Sequence, residues 1–454
     1  MKKTLIAGAA ALLATPALTQ NAPAAPDRLQ QIQEEITRLQ AEVEYLKTNA
    51  QGARKESAQE AVEVGTLKTA VAKFTWSGDF RYRYENIEDQ PATNIEASSR
   101  QRDRIRLRFG VTALINDKVT GRFQLSTVNT GDDNPRSTNQ SLGEAWTRKS
   151  VGIDLAYVDW KANRYTNLVL GKQTMPWTRT ASYFWDGDLT PEGAVAKFAS
   201  GPWSAGVYYT WLGERHVNDT AIASQASGRT DAKMAGAQIT FRRPVGKVNF
   251  VAAAGYYDIT HVQNEVTSAV PLAGTPAATC VINPAFSGSA NGNSTYDSNG
   301  AAASGCSLLA SDFNLMQALL QADFTLGRFP VSIFADYMQN GEALINPVAN
   351  EKLDTATAFG ITFNRAAAAR TWEIGYIYQV SKKDAVWGGF HDSDFNGGIT
   401  DGNGSVIKVA YVPLTNFTLN GTYFMNTRFI DGVVPGTGKE RDYDRLQLDL
   451  NFRF

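Results

Sequence analysis

From Phe74 onward, segments of about ten residues alternate apolar and polar side chains, and the connections between them are short and long by turns. A period of two puts successive side chains on opposite faces of a strand, so each segment reads as a β-strand with one apolar and one polar face. The short connections fall at Asn116-Asp117, Asn163-Arg164, Gly201-Pro202, Pro244 to Gly246, Gly327-Arg328, Asn364 to Ala369 and Thr415-Asn416, and each carries the Asn, Asp, Gly or Pro of a tight turn. Long connections lie near 87–100, 130–150, 174–191, 213–231, 260–311, 340–352, 381–403 and 430–441. Seven short and eight long connections predict sixteen strands, an even number that puts both ends of the array on the short-turn side. A soluble sandwich or solenoid alternates its side chains too, but neither explains the alternation of connection lengths. The expected fold class is an all-β membrane protein, a 16-stranded antiparallel transmembrane β-barrel over 74–454, with a short N-terminal coiled-coil helix.

The individual segments carry this pattern in detail. Phe74, Trp76, Phe80, Tyr82 and Tyr84 share a face opposite Asp79, Arg81, Arg83 and Glu85, and Ile105, Leu107, Phe109 and Val111 oppose Arg104, Arg106 and Arg108. In the last segment Leu446, Leu448, Leu450, Phe452 and Phe454 oppose Arg445, Gln447, Asp449, Asn451 and Arg453. Val158, Asp159 and Trp160 break the phase set by Ile153, Leu155 and Tyr157, which predicts a bulge there. Aromatics such as Trp203 and Trp211 gather toward strand ends, as interfacial girdles require.

Composition removes other classes. With 44 basic and 45 acidic residues there is no case for nucleic-acid binding, and no later apolar run approaches the ~20 residues of a membrane helix. Lys2 and Lys3 precede an apolar run from Leu5 to Ala14, so residues 1–24 read as a secretory signal peptide and the mature chain as exported. Cys280 and Cys306, within one Gly/Ser/Asn-rich stretch, are expected to form a disulfide closing a long loop. Three scattered histidines, with no partner at metal-ligand spacing, argue against a metal site, and no enzyme motif or cofactor signature appears.

Residues 27–50 form a separate unit. Leu29, Ile36 and Val43 at a and Ile32, Leu39 and Leu46 at d make a heptad seam, and Ile at d leans toward three or more strands. The competing reading is one amphipathic helix lying on its own barrel. Residues 51–73 lose the period and read as a partly helical linker.

The polar faces carry the chemistry. Arg81, Arg83, Arg104, Arg106, Arg108 and Arg122 lie on three consecutive strands, and closure of the barrel adds Arg445 and Arg453, so they are candidates for a basic pore wall. The alternative is ordinary lumen pairing with Asp79, Glu85, Asp103 and Asp449. The connection at 174–193 packs Trp177, Arg179, Tyr183 and Trp185 beside Asp186, Asp188 and Glu192. So apolar a stretch is costly at an exposed tip, which predicts an inward constriction loop whose acids face the basic wall. Capping of the barrel, or contact with a neighbouring subunit, is the other reading. The loop His391-Asp392-Ser393-Asp394, near Asp401, reads as a solvated tip, with a divalent cation or lipopolysaccharide as the alternative partner.

The signal peptide, the coiled-coil arm, the strand array and the segment from Gly171-Lys172-Gln173 through Trp177-Thr178-Arg179 to Trp185-Asp186-Gly187-Asp188-Leu189-Thr190-Pro191-Glu192-Gly193 resemble the putative porins of Gram-negative bacteria. That family is similar to the phosphate-selective porins, which also carry N-terminal coiled coils. The resemblance implies a sixteen-stranded homotrimeric channel in the outer membrane, bounded by lipid and lipopolysaccharide, with a periplasmic arm. It does not carry anion specificity across, because no lysine cluster here matches that of a phosphate channel. The expected function is passive diffusion of small solutes and ions. A substrate-specific anion channel is the nearest rival, and a barrel enzyme or a tether gripping a periplasmic partner stand further off.

Overall fold

The computed structural model describes residues 25–90, 98–128, 134–214, 231–268, 290–297, 307–346, 349–431 and 440–454. Cys280 and Cys306 lie outside the described residues, as does the signal segment. The chain divides into two units, residues 1–72 and 73–454.

The first unit contains helix α1, Ala25–Val71, in which the heptad segment continues without a break through the composition change at residue 51. Leu29, Ile32, Ile36, Leu39, Val43 and Leu46 are each about half exposed or more. Glu44 and Lys47 pair at 3.8 Å along the helix. Among the described residues no helix is long and apolar enough to cross a membrane.

The second unit is a closed antiparallel barrel of sixteen long strands, joined by the two-residue strand Gln140–Ser141. In chain order these are β1 (Phe74–Asp89), β2 (Ser98–Asn116), β3 (Val119–Thr127), β4 (Val151–Lys161), β5 (Thr166–Lys172), β6 (Glu192–Ser200), β7 (Trp203–Gly213) and β8 (Ala232–Val245). The other half is β9 (Val248–Thr260), β10 (Phe313–Leu326), β11 (Phe329–Asn340), β12 (Thr355–Asn364), β13 (Trp372–Ser381), β14 (Gly402–Leu414), β15 (Phe417–Arg428) and β16 (Arg441–Arg453). Each strand pairs with its neighbours in sequence, and β1 pairs with β16 from Asp79↔Arg453 to Asp89↔Tyr443. Closure removes the two sheet edges that would otherwise expose unpaired backbone in lipid.

Side-chain alternation divides outside from inside. Leu448, Leu450 and Phe452 on β16 are exposed outward, as are Leu107 and Phe109 on β2, while Arg445, Gln447 and Asp449 are buried within. At the short-turn end, Phe417 stacks on Phe452 at 4.5 Å, Trp203 meets Phe241 at 4.7 Å and Phe329 meets Phe363 at 5.1 Å, which builds one aromatic girdle. The tight turns use left-handed backbone where the sequence supplies Gly or Asn, as at Gly327 (φ 62°) and Asn416 (φ 63°).

The bulge lies earlier than the sequence pattern places it. The register between β3 and β4 shifts between Gln124 and Leu125, opposite Leu155 and Ile153, so the extra residue is Asp154. Asp154 and Leu155 are both buried, and Ala156, Val158 and Trp160 then follow the outward phase. The slip turns Asp154 toward the lumen, where Gln124 Nε2 donates to its carboxylate at 2.7 Å.

Candidate functional site: the basic wall and the inner loops

Cross-strand register sets the problem this lumen must solve. Arg81 stands opposite Arg106, and Arg83 opposite Arg104, on β1 and β2. Like charges in directly opposed positions repel, and burial strengthens the repulsion. Four carboxylates on the wall relieve it.

Glu85 is fully buried between guanidiniums. Arg445 Nη2 lies 2.7 Å from its Oε1, Arg83 and Arg104 approach at 3.5 Å, and Arg102 Nε donates to its Oε2. Asp449 accepts from Arg83 Nε and Nη2 at 2.6 and 2.8 Å, with Arg81 at 3.9 Å. Asp79 accepts from Arg106 at 2.6 Å, and Asp154 lies 3.7 Å from Arg108. Arg122 joins this edge through Gln124, donating to its Oε1 at 2.9 Å. Asp103 stands apart, accepting from the Tyr82 hydroxyl at 2.8 Å, and Arg453 is exposed near the short-turn end.

Two more carboxylates arrive from long loops. The 173–191 loop brings Asp188, which accepts from Arg108 Nη2 at 2.6 Å and lies 3.9 Å from Arg106, while its second oxygen takes the Thr138 amide and hydroxyl. Burial alone would raise its pKa, but Arg108, Arg106 and Arg81 outweigh burial and hold it at about 2. The 382–401 loop brings Asp394, 2.8 Å from Arg445 and 3.1 Å from Arg83. Those two cations outweigh its burial and hold it ionised.

The three acids expected to face the wall therefore separate. Asp188 does so, whereas Glu192 begins β6 on the outer side and pairs with Lys172 at 2.8 Å. Asp186 is buried and turned to loop construction, accepting the amides of Asp188 at 2.7 Å and Ser393 at 2.8 Å. Burial, then Asp392 and Asp188, push its carboxyl well above the ordinary range.

The 382–401 loop corrects the expectation of a solvated tip. His391, Phe395, Asn396, Thr400 and Asp401 are wholly buried. The Asp186 amide donates to Phe390 O at 2.9 Å, and the Asp392 amide to Tyr183 O at 3.2 Å, which knits this loop to the 173–191 loop. Arg136 staples a third connection to the 382–401 loop, donating from Nη1 to the carbonyls of Gly398, Gly388 and His391 at 2.7 to 3.3 Å. Burial and the nearby Arg136 lower His391 to about 3, so its ring is neutral. Arg136 stands in a polar loop with no periodicity, and no sequence signal points to it.

The aromatics of the 173–191 loop line the opposite wall. Trp177 meets Trp185 at 5.0 Å, Tyr257 at 5.2 Å and Tyr208 at 5.3 Å, all buried. Phe184 belongs to the same cluster, and Tyr183 stacks on Phe395 of the other inward loop at 5.4 Å. Arg179 donates to the carbonyl of Asp186 at 3.1 Å, closing the loop on itself. At the loop's far end Gly193 lies so close to β7 that an added Cβ would sit 2.1 Å from Tyr209 O, so no larger residue fits.

A closed sixteen-strand barrel with a charged inner wall and inward loops is porin architecture, and the sequence profile of the putative porin family matches residues 53–454. The chain belongs to the putative porin family. It is an outer-membrane porin. Among solved structures, this porin is similar to OprB of Pseudomonas putida at high pH, with 13% identity, 86% of this chain and 97% of that chain covered, and a TM-score of 0.52. It is also similar to Salmonella typhi OmpF in complex with daunomycin (10% identity, 84% and 97% covered, TM-score 0.45) and to OmpT of Vibrio cholerae (10%, 84% and 97%, 0.44). The OprB likeness establishes the barrel fold alone. No curated protein matches the sequence.

Proposed function

We propose that this porin passes small hydrophilic solutes and ions by passive diffusion, with charge preference set where the basic wall meets Asp188 and Asp394. The observation that supports this reading is the pairing of loop acids with wall arginines, Asp188 with Arg108 at 2.6 Å and Asp394 with Arg445 at 2.8 Å. Fixed charges of both signs lining the lumen act on a permeating ion, and rows of charge select ions in this way. In the wall, eight guanidiniums (Arg81, Arg83, Arg102, Arg104, Arg106, Arg108, Arg122 and Arg445) meet six carboxylates (Asp79, Glu85, Asp154, Asp188, Asp394 and Asp449), so anions are modestly preferred. Planar-bilayer recording tests this: the reading requires ohmic channels with an anion preference that falls when Arg106 and Arg108 become Ser.

The heptad face of α1 supports self-association. Six apolar a and d residues, half exposed or more along one helix, fit a parallel coiled coil with other copies of the chain, and Ile32 at d favours a trimer. The start of β1 at the short-turn end supports a periplasmic arm for the segment before it. Three heptads are marginal alone, and a trimeric barrel supplies the second contact.

A further inference from the structure

We propose that the lumen holds a docking site for small organic anions with an aromatic body, between the start of the 173–191 loop and the short-turn rim. The site deepens the diffusion reading above and rests on it. Two cavities of about 520 and 480 Å³ adjoin there, both bounded by Thr178 and Arg242. Each falls within the roughly 300 to 1,000 Å³ of small-molecule sites, and a bare chloride needs no such volume.

Charge sets this region apart from the basic wall. Arg179, Arg242 and Arg243 line one cavity, and Arg164, Lys197 and Arg242 the other. The wall arginines are answered by carboxylates at close range, but here the only lining carboxylate among the described residues is Asp323. It already accepts from Gln321 Nε2 at 2.9 and 3.1 Å. Asp159 lies behind Asn167, accepting its amide at 3.0 Å. Arg164, Lys197 and Arg242 share the second cavity, where no carboxylate is among the described lining residues, which favours an anion entering it.

The site is also built to hold a shape. Arg242 is positioned by Thr178 Oγ1 at 2.8 Å and Ser204 Oγ at 3.3 Å. Thr178 is itself clamped to β8, its amide donating to Gln238 Oε1 at 2.7 Å and its carbonyl accepting from Gln238 Nε2 at 2.9 Å. Trp177 and Tyr208 line the second cavity as an edge-to-face pair, and Tyr165, under the Arg164 guanidinium at 4.4 Å, lines it as well. Among the described residues the buried Trp177 indole N–H has no acceptor. An unsatisfied buried donor is costly, and an oxygen on an incoming ring would satisfy it. Cations beside aromatic faces suit a planar carboxylate, whose ring packs on the aromatics while its charge meets Arg242 and Lys197.

Benzoate is the probe, added to the full-length porin in planar bilayers in KCl. The expected result is a saturable reduction of the KCl current by benzoate, none by neutral benzyl alcohol, and a half-block concentration raised about tenfold in Lys197→Gln and in Arg242→Ser, the effect of one lost charge-assisted contact. Open channels in KCl report the folding of each variant in the same record, and Lys197→Gln decides alone if Arg242→Ser does not insert. A KCl current that benzoate leaves unaltered, or an equal block by benzyl alcohol or in the Lys197→Gln channel, would overturn the site. The absence of any channel in KCl would instead overturn the diffusion reading on which it rests.

Discussion

Arg83 of the first strand and Asp449 of the last face each other in register across the closing seam, joined by two hydrogen bonds of 2.6 and 2.8 Å. Both side chains are at least nine-tenths buried, so removing Asp449 strips Arg83 of its two shortest charge-assisted hydrogen bonds and leaves it the contacts with Asp394 at 3.1 Å and Glu85 at 3.5 Å. Such losses cost about 3 to 5 kcal/mol, whereas replacing both partners by apolar residues of similar size costs far less. Asp449→Ala is therefore expected to lower the thermal unfolding midpoint sharply, and Arg83→Met with Asp449→Leu to restore much of it. Circular dichroism melts in detergent measure both.

Asp188 and Asp394 reach the wall from different loops, so their effects on selectivity are expected to add. Changing each to Asn removes one negative charge while keeping hydrogen-bond capacity, and each is expected to raise the anion-to-cation permeability ratio severalfold. Reversal potentials in a KCl gradient measure it. Glu192→Gln, paired with Lys172 on the outer side, is expected to leave that ratio unchanged.

The packing of the inward loops carries opposed pH terms. Burial, with Asp394 beside it, pushes the Asp392 carboxyl from 3.8 up to about 6. A raised carboxyl favours the folded loop in its protonated form, so this contribution is full below pH 3.8 and is lost as pH rises through about 6. Asp188, depressed to about 2, contributes above 3.8 and loses its contribution as pH falls through about 2. Amide exchange at Ser393, Asp394 and Phe395, corrected for the intrinsic rate, is expected to speed up from pH 4 to pH 7, and Asp392→Asn to flatten that rise.

Self-association through α1 is expected to depend on its a and d positions. Ile36→Asp with Leu39→Asp places charge in the seam and is expected to convert trimers to monomers while leaving the barrel folded. Analytical ultracentrifugation in detergent, alongside circular dichroism of the β signal, separates the two effects.

The barrel was legible in the sequence because lipid imposes a rule at every residue. Strand alternation such as Leu446 to Phe454 and the turn chemistry of Gly327 and Asn416 report backbone constraints that do not depend on distant partners. The inner loops have no such rule. The apolar run of the 173–191 loop announced burial, but whether an acid met the wall or built the loop depended on spacings of two residues, and Asp186 and Asp188 went opposite ways. The 382–401 loop, with its Asp, Ser and Gly, reads as solvated because its burial rests on backbone hydrogen bonds to Arg136 and to the other loop. Composition does not encode those contacts. The β4 bulge was misplaced for a related reason: Leu155 fits either face by hydrophobicity, and only the partner strand's register fixes it.

Charge-selective diffusion is tested most directly by the reversal potential of the purified wild-type porin in a KCl gradient. The predicted result is linear current with a reversal potential on the anion side, moving toward the cation side when Arg106 and Arg108 become Ser. A bilayer that never conducts, or a reversal potential that these two substitutions do not move, would contradict it.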